Sequence, residues 1–240
     1  MRDTAALQDF LATCSIAPQV LELRPDYRVL LLAVDGIEPG PTDAATEAFL
    51  ARADAHAAEL LTETPVEELP HVAAWREAYR AFGAKPQRTR NSLEALLRRA
   101  AADGLPRVNR LTDLYNAISV LHGIPLGGEG LDRYEGPAQL VRASGEEEFT
   151  VMSSGEEKVE NPRPGEVVWR DDAGVTCRRW NWRQGPRTAL REETTSALFI
   201  LDALGPVDDA ALTAAGEELR DLLTGCGADV RTATRVVPAA

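Results

Sequence analysis

Lysine is nearly missing from this chain. Only Lys85 and Lys158 occur among 240 residues, and arginine supplies the other basic side chains. Cysteine is sparse as well. Cys14, Cys177 and Cys226 lie far apart, are odd in number and form no Cys-x-x-Cys pair. That pattern gives neither a disulfide framework nor a thiolate metal site, so three reduced thiols are expected. The three histidines, His56, His71 and His122, are equally scattered, without His-x-His or His-Glu-x-x-His spacing, so no metal is expected. Long apolar runs are missing too. The longest, Val29 to Val34, suits a buried strand and falls well short of the ~20 residues of a membrane span. With Asp3 near the start and no signal-peptide core, the reading is a cytoplasmic protein with no membrane partner. No Gly-x-Gly-x-x-Gly follows a strand, and neither a P-loop nor a Gly-x-Ser-x-Gly elbow occurs. The common dinucleotide, nucleoside-triphosphate and hydrolase signatures are therefore absent, and no cofactor is expected.

What is present suits a globular protein, with 44% hydrophobic and 27% charged residues. A chain of this length can bury a sizeable core. The net charge of −12 argues against a polyanionic partner, but the charge is unevenly placed. From Arg76 to Arg110 nine basic residues face three acidic ones, and Ala173 to Arg191 holds five arginines and no acid. These segments are either solvated surface or places where arginine's planar fork meets phosphate or carboxylate oxygens.

Apolar spacing predicts helices near Ala5–Thr13, Thr42–Leu61, His71–Phe82, Thr89–Ala102, Thr112–His122 and Asp208–Leu223. Thr112 and Ser92 are the expected caps of two of them, and Gly123 followed by Pro125 ends the fifth. Strands are expected at Val20–Leu23, Arg28–Val34, Gln139–Ala143, Glu148–Met152, Glu166–Arg170, Val175–Arg179, Thr194–Leu204 and Val230–Val237. Gly127 to Gly130 reads as a glycine-rich exit loop. A helix-rich front and a strand-rich back indicate an α+β fold.

Four blocks carry a resemblance. They are Tyr79-Arg-Ala-Phe-Gly-Ala-Lys-Pro86, Leu105-Pro-Arg-Val-Asn109, Asp113-Leu-Tyr-Asn-Ala-Ile-Ser119 with Pro125-Leu-Gly-Gly-Glu129, and Arg178-Arg-Trp-Asn-Trp-Arg183 with Glu193-Thr194. Together they resemble the B3/B4 domain of the phenylalanyl-tRNA synthetase β subunit in a free-standing form, over roughly residues 70–205. The resemblance implies a layered domain of mixed and antiparallel strands flanked by helices, here one domain over 1–240. It also implies hydrolysis of wrongly attached amino acids from tRNA. Asp113 and Asn116 keep the synthetase's Asp and Asn, Tyr115 stands where it has threonine, and no histidine follows Pro125. Phe199-Ile200 occupy the region where the synthetase has a downstream acid.

Ester hydrolysis needs a positioned water and donors for the oxyanion. Glu129 can orient water or hold the substrate's α-ammonium, or it is a solvated turn residue. Asn116 and Asn181 can fix orientation, although Asn116 also suits a buried structural role. Gly127, Gly128 and Gly130 can offer backbone N–H groups. Tyr115 and Thr194 fall in the matching blocks and complete the substrate contacts. Arg88, Arg90, Arg178 and Arg183 are the candidate RNA contacts. Trp180 or Trp182 offers a stacking face, or both pack in the core, since they flank one residue of a predicted strand. The expectation is a stand-alone aminoacyl-tRNA deacylase. The alternatives are a non-catalytic module binding tRNA or an amino acid, and a protein-binding paralogue.

Overall fold

A computed structural model of the chain describes residues 2–153 and 155–238. In order, the elements are α1 (Thr4–Thr13), β1 (Ser15–Ile16), α2 (Pro18–Leu23), β2 (Arg28–Asp35), α3 (Ala44–Glu63), α4 (Pro70–Ala81), α5 (Ser92–Asp103) and α6 (Arg110–His122). There follow β3 (Leu126–Gly130), β4 (Gln139–Arg142), β5 (Phe149–Ser153), β6 (Glu156–Glu160), β7 (Val167–Asp171), β8 (Gly174–Arg178), β9 (Arg183–Gln184), β10 (Ser196–Ala203), α7 (Asp209–Thr224) and β11 (Arg231–Val237). Strands β11, β2, β10 and β3 form a central antiparallel sheet in that order. Leu30, Leu32 and Val34 of β2 pack with α3, α5, α6 and α7. Val29, Leu31 and Ala33 face the other way, onto α1, α4 and a second sheet. Both faces are covered, so β2 reads as a continuous apolar run rather than an alternation.

The second sheet runs β1-β4-β7-β8-β9, with β1 parallel to β4 and the rest antiparallel. The fold is thus α+β and layered, with helices on one face of the central sheet and a five-stranded mixed sheet with helices on the other. Among the described residues no helix is long and apolar enough to cross a membrane.

Several local expectations change. Val20–Leu23 belongs to helix α2, where Pro18 supplies a preset φ at the first turn; four apolar-biased residues are too few to separate the two periods. Asn109, not Thr112, caps α6 by accepting from Thr112 N at 2.9 Å, and Asn91, not Ser92, caps α5. Asp113 is fully buried and accepts from Val108 N and from the Thr42 hydroxyl, which ties the α6 entry to the α3 entry. Gly123 takes the left-handed cap position, φ 62°. Gly127 to Gly130 is not a loop but most of strand β3, held by its register with β10. The Trp180–Trp182 segment is not a strand. Strand β8 ends at Arg178, and Arg179 and Trp180 turn the chain with φ of 49° and 68°.

Candidate functional site

A cleft of about 260 Å³ opens where the β3 edge of the central sheet meets the second sheet, α5 and α6. Gly127 lines it, and a Cβ built there would meet nothing within 4 Å. Two acids enter from neighbouring strands, Glu129 from β3 and Asp202 from β10, each only 2% exposed. Asn116 reaches it from α6, Cys177 from β8, and Asn181 from the turn after β8. The Asn116 side chain has no protein hydrogen-bond partner among the described residues, although it is 6% exposed. Trp169 and Trp180 also line the cleft, and the buried Trp169 indole N–H lacks a partner among the described residues. Unpaired buried donors of this kind are rare in folded proteins.

The two carboxylates are held differently. Asp202 accepts from Tyr27 Oη at 2.6 Å and from Asn181 Nδ2 at 3.2 Å, while Asn181 Oδ1 accepts from Tyr79 Oη at 2.9 Å. Glu129 accepts from the Tyr134 hydroxyl. Burial pushes both up to about 7, against the opposing pull of these hydroxyl and amide donors. Burial, with Glu129 and Asp202 nearby, holds the Cys177 thiol well above its ordinary value, so it is not a thiolate nucleophile.

Among the described residues no histidine lines the cleft. His71 Nε2 accepts from Trp75 Nε1 at 3.0 Å and Leu204 N at 3.1 Å, which leaves the proton on Nδ1, facing Gly123 O at 2.7 Å. Burial lowers its pKa to about 4, so it stays neutral. His122 contacts Glu218 at 2.7 Å, away from the cleft. Among the described residues no cluster of three or more His, Cys, Asp or Glu is arranged for a metal ion.

A family model for the B3/4 domain matches residues 74–223. The chain belongs to the B3/4 domain family. Every residue lining the cleft, from Ser92 to Asp202, falls inside the matched B3/4 stretch. An N-terminal fragment of the phenylalanyl-tRNA synthetase β subunit from Pyrococcus horikoshii aligns in structure with a TM-score of 0.47 and 11% identity, over 95% of this chain and 54% of that one. The chain therefore spans about half the length of that fragment. No curated protein matches the sequence.

Within the B3/4 fold, Glu129, Asn116, Tyr115, Gly127, Asn181, Trp180 and Arg183 all line one cleft. Four sequence expectations are displaced. Gly128 is packed rather than open: a Cβ there would lie 2.7 Å from Leu190 Cδ1 and 2.9 Å from Phe199 Cε1. The Gly130 N–H is already donated to Thr188 O at 2.7 Å. Thr194 lies in a separate groove, accepting from Arg191 N at 2.9 Å. Trp180 is no stacking face for a base, being wholly buried against Tyr27 and Trp75 with ring centroids at 4.9 and 5.2 Å. Trp182 is the half-exposed ring, with the Arg179 guanidinium 4.3 Å above it.

Of the candidate RNA contacts, Arg178 is buried and taken. It grips Glu166 through two bonds of 2.8 and 2.9 Å and Glu160 through a third. Arg88, Arg90 and Arg183 are exposed. Part of the basic segment is consumed internally: buried Glu94 draws Arg76 at 2.8 Å, Arg98 at 3.2 Å and Arg90 at 3.7 Å, and Arg107 pairs with Glu47. Asp202 is not among the residues the sequence singles out, because Phe199-Ile200 occupy the place where the resemblance expects an acid. Its signal was an acid one residue past an unbroken apolar run, in a strand whose pairing with β2 buries it.

Proposed function

We propose that this chain is a stand-alone aminoacyl-tRNA deacylase, acting in the cytoplasm on a mischarged amino acid ester. The observation that carries the reading is the pair of buried carboxylates, Glu129 and Asp202, entering one cleft with pKa values raised to about 7. A base with a pKa near the working pH is the efficient kind. In its ionised form Glu129 takes a proton from water as the water oxygen attacks the ester carbonyl. The bond from that carbon to the ribose oxygen then breaks, and the proton passes to the ribose. The free amide of Asn116 orients the acyl group, and the unpartnered Trp169 indole N–H is the available donor for the developing oxyanion. Asp202 acts through Asn181 as a positioning residue.

Purified protein incubated with a panel of mischarged tRNAs tests the proposal. Release of one amino acid is expected, slowed at least about a hundredfold by Glu129→Gln. No release above buffer from any pair would sink it.

One observation favours a second reading, a binding module without turnover. Both carboxylates already have protein donors, Tyr134 on Glu129 and Tyr27 with Asn181 on Asp202. A thermal shift with a free amino acid, or salt-dependent tRNA binding, without turnover would select it.

A further inference from the structure

A second concavity lies next to the cleft and has the opposite electrostatic character. Its volume is again about 260 Å³, and Lys85, Arg88, Arg163 and Arg179 border it. In a chain of net charge −12, four cations converging on one hollow is a local reversal of sign. Lys85, Arg88 and Arg163 are exposed and pair with no carboxylate among the described residues. The one acid at the wall, Glu166, has both oxygens engaged by Arg178, leaving Arg179 a looser contact at 3.6 Å. Arg179 is preset. Its backbone sits at φ 49°, its guanidinium donates to the Thr89 hydroxyl, and its flat face rests on Trp182. The hollow opens beside Gly83, where a Cβ would meet nothing within 4 Å. A rigid guanidinium with three unpaired cations around an open floor fits a phosphate group.

The neighbouring cleft supplies the direction. Arg179 borders the basic hollow, and the Trp182 ring beneath it lines the cleft. We propose that the basic hollow holds a backbone phosphate of an RNA strand whose 3′ end enters the cleft. The identity of the strand rests on the deacylase reading; the phosphate site does not.

Calorimetric titration of the full chain separates the two. The probes are inorganic phosphate and the trinucleotide CCA, each with wild type, the Arg88→Ala/Arg163→Ala double variant and Glu129→Gln. Both probes are expected to bind, CCA the more tightly. The double variant should weaken each roughly tenfold, as expected for losing two exposed charge contacts. Glu129→Gln should leave phosphate binding unchanged, because Glu129 does not border the hollow. Absence of phosphate binding, equal affinity in the double variant, or CCA binding no more tightly than inorganic phosphate would overturn the inference. Because turnover is read separately, a chain that binds phosphate and releases no amino acid refutes only the deacylase reading. A chain that turns over with unaltered kinetics in the double variant refutes only this one.

Discussion

Replacing Asp202 with asparagine isolates the cost of one of the two buried carboxylates in the cleft. Burial raises this group from 3.8 to about 7 in the folded protein. Between those values the native state holds a proton that the unfolded state has lost, so stability falls as pH rises through the window. The stabilisation from the retained proton is complete below 3.8 and gone above about 7. At about 1.4 kcal/mol for each pH unit the whole effect is about 4 kcal/mol, and about 3 kcal/mol of it lies between about pH 5 and about pH 8. The substituted side chain would carry no charge at any pH. Its oxygen still accepts from Tyr27, but its amide nitrogen meets the Asn181 amide, a loss of about 1–2 kcal/mol that does not vary with pH. Denaturant unfolding of both proteins over that pH range should therefore show wild type ahead at the acid end and losing about 3 kcal/mol relative to Asp202→Asn at the alkaline end. In melting temperature the swing is about 6–12 °C for a chain of this size. A stability difference that stays flat across the range would refute the reasoning, because Asp202 would then hold one protonation state throughout.

Two further expectations concern packing. Gly128→Ala should cost about 1–3 kcal/mol, since Leu190, Phe199 and Tyr115 must all yield, whereas Gly127→Ala, facing open space, should stay within about 1 kcal/mol; equal costs by denaturant titration would contradict the placement of the two glycines. Trp180→Ala should lower stability by about 3–5 kcal/mol and Trp182→Ala by no more than about 1–2 kcal/mol, and the reverse order would show that the turn after β8 directs the rings the other way.

The long elements were legible because their periodicity is strong. The apolar stripe Leu111, Leu114, Ile118 marked α6, and the Val29–Val34 run marked the central strand. The α+β order and the B3/4 resemblance were carried by residues that stay close together in sequence. The illegible parts depend on partners far along the chain. Strand β3 is three-fifths glycine and has almost no strand preference of its own; pairing with β10, some seventy residues on, makes it a strand. Arg178 looked like a surface cation until Glu166 and Glu160 came to meet it. Trp180 and Trp182 parted company because two left-handed residues broke the alternation, and nothing in Arg179 or Trp180 announces positive φ. The candidate site was half visible: Glu129, Asn116 and Asn181 could be named from their motifs, while Asp202 needed the three-dimensional neighbourhood.

The turn that follows β8 has a mechanical consequence. Five successive side chains serve the basic hollow, the cleft and the core between them. Arg178 locks to Glu166, Arg179 borders the basic hollow, Trp180 anchors the aromatic core, Asn181 joins the tyrosine network, and Trp182 walls the cleft. The spacing between hollow and cleft is thereby set by a few covalent bonds rather than by the meeting of separate elements. An occupant long enough to fill both would gain from tethering, its second contact forming at high effective concentration. One too short would occupy a single compartment with ordinary affinity. Inserting or deleting one residue here would change that measure of length, and unseat the core in the same stroke.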